Sequence, residues 1–344
     1  MNEPVTGAIP SAFDYRDGYA AAGAERLAGL EPIPYQTQLA EPMNQRRIPA
    51  CVGHSVVDLI KLYWYRKTGR WIDFSSRFLD ILSSEPYIAL EGGRQPRVVL
   101  KVGANLGCCT TATLPNDTTL PIARYRDLSA ISGAAYAEAL QYKIPGYIRV
   151  PIDVEKTRQA VRMYGATTSL FIVGKELWTP SWDAKDIDPL RTPEGVISGH
   201  QMTVYGWEDL NLVQNEWGVS WASQGRASYD PVEWAPYTLE QWALAEIPED
   251  VAAFLKSLPS PSEFRYRFDR DMRRGQDGRD VKWAQVGLMI LGFLTPVPPE
   301  QLGFYGPKTS AAVGAYQRAR GITVPSPDNI GPLTRRALNA DFAL

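Results

Sequence analysis

From Cys51 onward, apolar residues recur with helical spacing: Val56, Val57, Leu59, Ile60, Leu62 and Tyr63, up to Lys67-Thr68-Gly69. Positions three and four apart line one helix face, and glycine commonly stops a helix. The pattern predicts a helix that starts at Cys51, directly after Pro49-Ala50. A second helix is predicted after Ser75, from Phe78, Leu79, Ile81 and Leu82. From about residue 144 the texture becomes β-like. Tyr147-Ile148-Arg149-Val150 alternates, Thr168 to Val173 is an apolar run, and 202–207 and 212–215 read as further strands. Helices first and strands later predict an α+β fold with an antiparallel sheet. Residues 1–45 are rich in Pro, Gly and Ala, with an extended N-terminal arm expected over 1–30, and 84–120 is Gly-rich and mixed.

Leu258-Pro259-Ser260-Pro261-Ser262 reads as a linker. Beyond it, Trp283, Val286, Leu288, Met289, Leu291 and Leu294 predict one helix, Thr309 to Tyr316 a second and Leu333 to Leu338 a third. Tyr305-Gly306-Pro307-Lys308-Thr309 is echoed by Ile330-Gly331-Pro332-Leu333-Thr334. In both, Gly permits a tight turn and Pro suits the first helical turn, where no N–H is needed. The expected organisation is a main domain over 1–249, a linker over 250–268 and a small three-helix domain over 269–344.

Net charge is −2 over 344 residues. That excludes a nucleic-acid binder working by broad phosphate neutralisation. Residues 251–344 hold 13 Lys and Arg against 8 Asp and Glu, so the C-terminal part is basic and the rest acidic. No run of 18 apolar residues is present, so no membrane insertion is expected. The opening MNEPVTGAIPSAF shows no signal-peptide pattern. Cys51, Cys108 and Cys109 do not make a disulfide framework. No Cys/His cluster has zinc-ligand spacing, and neither a metal nor a cofactor is expected.

The start of a helix favours a thiolate, as does a nearby imidazolium. Cys51 has the first by position. The chain has two histidines, His54 and His200. His54 shares the predicted helix with Cys51 and is read as packing. His200 precedes a strand, and Asn215 ends the next one. An antiparallel pair returns those two ends to one sheet edge, where Asn215 can orient the imidazole. The Cys51 N–H and the Gln45 side-chain amide can serve a developing oxyanion.

Gln45 six residues before Cys51, His200 far downstream, and Asn215-Glu216-Trp217-Gly218 with Trp221 and Gly225 resemble the papain family. So does Pro10-Ser11-Ala12-Phe13-Asp14-Tyr15-Arg16, similar to the start of the mature domain. The resemblance spans about residues 9–249. It implies a two-lobed fold with a helical lobe and a sheet lobe, and a substrate cleft with Gly92, Gly93, Trp217 and Gly199. Ile48-Pro49-Ala50-Cys51-Val52 departs from the family's Cys-Gly-Ser-Cys-Trp and lacks its disulfide cysteine. A mature-like start near residue 9 implies no inhibitory propeptide and an enzyme active as made, or controlled by delivery.

Arg273-Arg274-Gly275, Asp280-Val281, Gln285, Leu291-Gly292-Phe293, Tyr305-Gly306, Thr309, Tyr316-Gln317 and Gly331-Pro332-Leu333-Thr334 resemble the peptidoglycan-binding domain 1 family. The resemblance implies a wall-binding groove, expected at Gln285, Tyr305, Thr309, Tyr316 and Gln317. The combined expectation is a cysteine peptidase acting through a Cys51 thioester, targeted to peptidoglycan and located outside the cell, at the wall or in a virion. Its substrate is a polypeptide or a peptidoglycan stem peptide. The alternative is a non-catalytic phage-particle protein with virion assembly partners.

Overall fold

The computed structural model describes residues 6–11, 35–85, 88–177, 190–196, 198–246, 259, 263–291, 293–294 and 302–342. Most of the expected arm and most of the expected linker lie outside the described residues. The chain divides into two compact units, the second taking over at Ile247.

In the first unit the helices come first. α1 (Cys51–Thr68) closes on Gly69, whose left-handed backbone (φ 71°) donates its N–H to the Tyr65 carbonyl. α2 (Ser76–Leu82) is capped by Ser75, whose side chain accepts from the Phe78 N–H. α3 (Pro96–Asn105) lies inside the stretch that reads as mixed. Proline occupies its first turn, and Val99, Leu100 and Gly103 form a narrow buried face. α4 (Gly133–Ala139) and α5 (Val154–Tyr164) follow, each capped by a side-chain oxygen, of Ser132 and Asp153.

The sheet is antiparallel and seven-stranded: β1 (Tyr35–Gln36), β2 (Tyr147–Val150), β3 (Thr167–Val173), β4 (Ser198–Trp207), β5 (Asn211–Gln214), β6 (Arg226–Tyr229) and β7 (Thr238–Leu244). Six strands lie in the order β2-β7-β3-β4-β5-β6, and β1 pairs with the far end of β4. One apolar core gathers α1 to α3 against the sheet, through Val56, Ile60, Phe78 and Leu100. Another holds Phe171, Met202, Val213, Trp217 and Trp234.

α1 runs alongside β4. Ser55 on α1 hydrogen-bonds Thr168 and Thr203 at 2.6 and 2.8 Å, pinning the helix to β3 and β4. Thr203 lies three residues beyond His200, and Ser55 lies one turn beyond Cys51. The register of helix on strand thus brings Cys51 beside the start of β4.

The second unit contains α6 (Arg279–Ile290), α7 (Pro307–Ala319) and α8 (Pro332–Asp341). Gly306 and Gly331 cap the last two, with proline at the first helical position in both. Phe264 and Phe268, expected in the linker, are buried in this core with Leu288, Val313 and Leu338.

The five residues expected to face the cell wall are buried instead. Gln285 donates to the Phe304 carbonyl and to Thr309 Oγ1 and accepts from the Gly303 N–H. Gln317 repeats this on the Asn329 carbonyl, Thr334 Oγ1 and the Asp328 N–H. Each glutamine ties a helix to the loop and first turn of the next one, which is the structural content of the sequence echo. Tyr305 and Tyr316 donate their hydroxyls to the Asp328 carbonyl and the Asp341 carboxylate. Their pattern reflects polar groups that a small core must satisfy. Gln285→Ala leaves the Gly303 N–H and Thr309 without partners. It is expected to lower stability by about 1–3 kcal/mol in chemical denaturation. Retention on wall sacculi by the remaining folded protein should be unchanged, and specific loss of retention would restore the wall-contact role.

Candidate active site

Cys51 opens α1 after Ala50 and has no solvent exposure. Backbone groups of Gln201, Gly7 and Val52 hydrogen-bond its sulfur. The Gln201 contact sets the thiol against the residue next to His200.

His200 is equally buried. Its Nε2 lies 2.7 Å from Asn215 Oδ1. The same Oδ1 accepts from the Glu216 N–H at 2.7 Å, which identifies this atom as the amide oxygen. Nε2 must therefore carry the proton, and Nδ1 is left with the lone pair. Nδ1 is buried and has no hydrogen-bond partner among the described residues. Trp217 lies against the ring, centroids 4.8 Å apart and planes tilted by 34°, and screens the His200–Asn215 pair from water.

The Gln45 loop is stapled to the Asn215 loop. The Gln45 N–H donates to the Glu216 carbonyl at 2.8 Å, and the Gly218 N–H to the Met43 carbonyl at 2.9 Å. Cys51, His200, Asn215 and Gln45, 170 residues apart at the extremes, thus converge. His54 takes no part: Nδ1 donates at 2.9 Å to the carbonyl of Ala50, the residue that caps α1.

Gly93 lies against Gly7, with Gly92 next to it in the chain. They are held by a buried charge cluster that the sequence did not announce. Arg126 forms a two-pronged pair with Asp80 at 2.7 and 3.0 Å, and also donates to the carbonyls of Leu90, Gly92 and Pro49. Arg94 donates to the Asp80 and Gly93 carbonyls. The charges stand at 80, 94 and 126, with no periodicity to link them.

Residues 7–9 run between Arg94 and Gly199. The Ala8 N–H donates to the Gly199 carbonyl at 3.1 Å, the Ile9 N–H to the Arg94 carbonyl at 2.9 Å, and the Arg94 N–H to the Gly7 carbonyl at 2.9 Å. A Cβ on Gly93 would lie 2.0 Å from the Gly7 oxygen, and one on Gly199 2.5 Å from the Ala8 oxygen. The glycines at 93 and 199 therefore admit a backbone, and the backbone they admit belongs to this chain. Gly7 to Ile9 lie over the thiol, which runs against an enzyme active as made and leaves the alternative of control by delivery in place.

Burial sets the resting protonation. It pushes the Cys51 thiol up to about 11, outweighing the backbone donors that favour the thiolate, with Glu216 adding to the rise. It pulls both histidines down to about 4, despite the Asn215 bond to His200. The closed site holds a neutral thiol and a neutral imidazole instead of an ion pair. Beneath it lie the buried carboxyls of Asp58 and Glu216, and burial raises both. The Glu216 backbone braces Asn215 and Gln45.

These shifts predict how stability follows pH. Unfolded histidines take up protons near 6.5, whereas the folded rings do so only near 4. Their stabilisation is complete above pH 6.5. It is lost as pH falls to 4, by at most roughly 3 kcal/mol per ring. The Asp58–Glu216 pair acts in the other sense, and its contribution fades as pH rises through its raised pKa. The urea midpoint of His54→Asn should fall less between pH 6.5 and 4 than that of the unaltered chain; equal falls contradict a neutral buried His54 ring.

Among the described residues, no helix is long and apolar enough to cross a membrane. A family model described as "Putative peptidoglycan binding domain" matches residues 277–338. No curated protein matches the chain. Among solved structures, xylellain, a cysteine protease from Xylella fastidiosa, is 20% identical with a TM-score of 0.58, covering 70% of this chain and 96% of that one. A cysteine protease from Carica candamarcensis is 17% identical with a TM-score of 0.47, covering 69% and 99%. The first unit has the fold of the papain-like cysteine proteases, and residues 277–338 form a domain of the peptidoglycan-binding type.

Proposed function

We propose that the first unit is a cysteine peptidase and that the second holds it on peptidoglycan. The observation that carries this reading is the protonation state of His200: Nε2–H is committed to Asn215, which leaves Nδ1 as a base beside Cys51. Nδ1 takes the thiol proton as the sulfur attacks the peptide carbonyl. The Cys51 N–H and the Gln45 amide stabilise the oxyanion. As the intermediate collapses, the C–N bond breaks and the amine leaves with the proton from Nδ1. Water, deprotonated by the same nitrogen, then hydrolyses the thioester and restores the thiol. Asn215 orients the ring throughout, and Trp217 keeps water from competing for their hydrogen bond.

Wall attachment falls to a different surface from the one the sequence suggested. A pocket of about 460 Å³ in the second unit is lined by Arg273, Gln276, Val324, Ser326 and Asn329. It offers polar groups outside the core and suits sugar hydroxyls or peptide amides. Holding the enzyme at the wall raises the effective concentration of peptide bonds there.

The test is twofold. A thiol-directed epoxide should label the chain lacking residues 1–9 at Cys51, and neither Cys51→Ala nor His200→Ala should be labelled there. Digests of purified wall should release fragments with new stem-peptide termini. Labelling at Cys108 or Cys109 in place of Cys51 removes the nucleophile assignment. A wall left intact while casein is cut places the substrate among proteins.

A further inference from the structure

We infer that the pocket beside Trp217 is a subsite for a carboxylate on the leaving side of the peptide substrate, selected by Arg46 and Arg47. The inference rests on the peptidase reading above and names the chemistry that reading leaves open.

The pocket has a volume of about 870 Å³. One wall is Trp217, whose ring lies on His200, and another is Asn44, next to Gln45. His200 must hand its proton to the departing amine, so the leaving half of the substrate lies on the imidazole flank. The pocket opens on that flank.

Two adjacent guanidiniums line it. Both side chains are exposed, and neither forms an ion pair among the described residues. The nearby Asp117 carboxylate is engaged by the N–H and hydroxyl of Thr119, which with the charges of Arg77 and Arg46 hold it below the usual carboxylate range. Arg46 is held in the left-handed region at φ 50°, where a side chain is disfavoured and glycine is at ease. Its N–H is fixed by Asn44 Oδ1 at 2.9 Å, and the Asn44 carbonyl by Thr118 Oγ1 at 2.9 Å. The turn therefore carries arginine at a conformational cost and keeps the guanidinium at the pocket. Arginine presents a planar fork of donors that matches a carboxylate.

The rest of the lining sets the shape of the guest. Ile48, Leu120 and Ile122 give an apolar floor. A residue with an aliphatic stem and a terminal carboxylate satisfies floor and rim together. Glutamate-like and diamino-dicarboxylate residues of peptides have that form.

The test uses the full-length chain carrying Cys51→Ala, to stop turnover, and Gly7→Val, to open the cleft. Two fluorescent peptides, identical except for Glu or Gln on the leaving side, are titrated by anisotropy at low salt. The Glu peptide should bind roughly five- to tenfold more tightly, the span expected of two exposed charge pairs, and the preference should shrink in high salt. Arg46→Gln with Arg47→Gln should abolish the preference by weakening the Glu peptide more than the Gln peptide. Arg46→Lys with Arg47→Lys should keep part of it. Equal affinities for the two peptides, or no binding of the Glu peptide, overturn the subsite. If the Glu preference holds while the chain with Cys51 intact and Gly7→Val cleaves neither peptide, the subsite stands and the peptidase reading falls.

Discussion

Exchanging Gly7 for valine is expected to raise the alkylation rate of Cys51 at pH 7.5 by about two orders of magnitude. A Cβ at position 7 would lie 2.4 Å from Pro49 Cβ and 2.5 Å from the Pro49 oxygen, so the segment must lift out of the cleft. Among the described residues, three backbone hydrogen bonds, each worth about 1 kcal/mol net, and the buried Ala8 side chain hold it. Once it leaves, water reaches the thiol and the main cause of its raised pKa disappears. A return from about 11 to the ordinary 9 multiplies the thiolate fraction at neutral pH about a hundredfold, and alkylation follows the thiolate. The same exposure frees His200 to hold a proton, which lowers the thiol further. Cys108 and Cys109 are internal controls, because burial raises both and neither touches the segment. Iodoacetamide labelling quantified by peptide mass should show the gain at Cys51 alone. An unchanged rate in the folded variant would mean that Gly7 to Ile9 do not guard the site. Peptide turnover should rise in parallel.

Replacing Arg126 by alanine is expected to cost about 3–5 kcal/mol, the penalty for stripping one partner from a buried ion pair. Asp80 would keep a charge with no solvent exposure, balanced only by Arg94 at 3.5 Å. The Pro49 and Gly92 carbonyls would lose their donor as well. Pro49 leads into Cys51 and Gly92 into the cleft wall, so one guanidinium couples stability to the width of the site. Arg126→Lys should recover little, because one ammonium cannot serve the carboxylate and three carbonyls from a planar fork. Urea denaturation of the Ala and Lys variants checks the stability loss. A loss below 1 kcal/mol in both would show that the cluster is not a structural tie.

How far the site could be read from the sequence depended on whether its groups lie in local patterns. The α1 start at Cys51 was legible because apolar spacing and Gly69 mark both ends of that helix. The meeting of His200 and Asn215 was legible because two short strands in succession return to one edge. α3 was missed: its buried face is short and its flanks are glycine-rich. Asp58 and Glu216 pair across 158 positions, and no local rule joins them.

Residue order and composition alone determined the element types over most of the first unit, the helix starts of the second, and the expectation that Gln45, His200 and Asn215 belong with Cys51. Tertiary packing alone decided which backbone lies in the cleft, which way the Cys51 and His200 protons are biased, and which of two plausible faces of the second unit is interior. Those outcomes turn on burial and on the partners burial imposes. Desolvation reverses the charge preference that a helix start would give Cys51. It also turns Gln285 and Gln317 from candidate ligand contacts into struts.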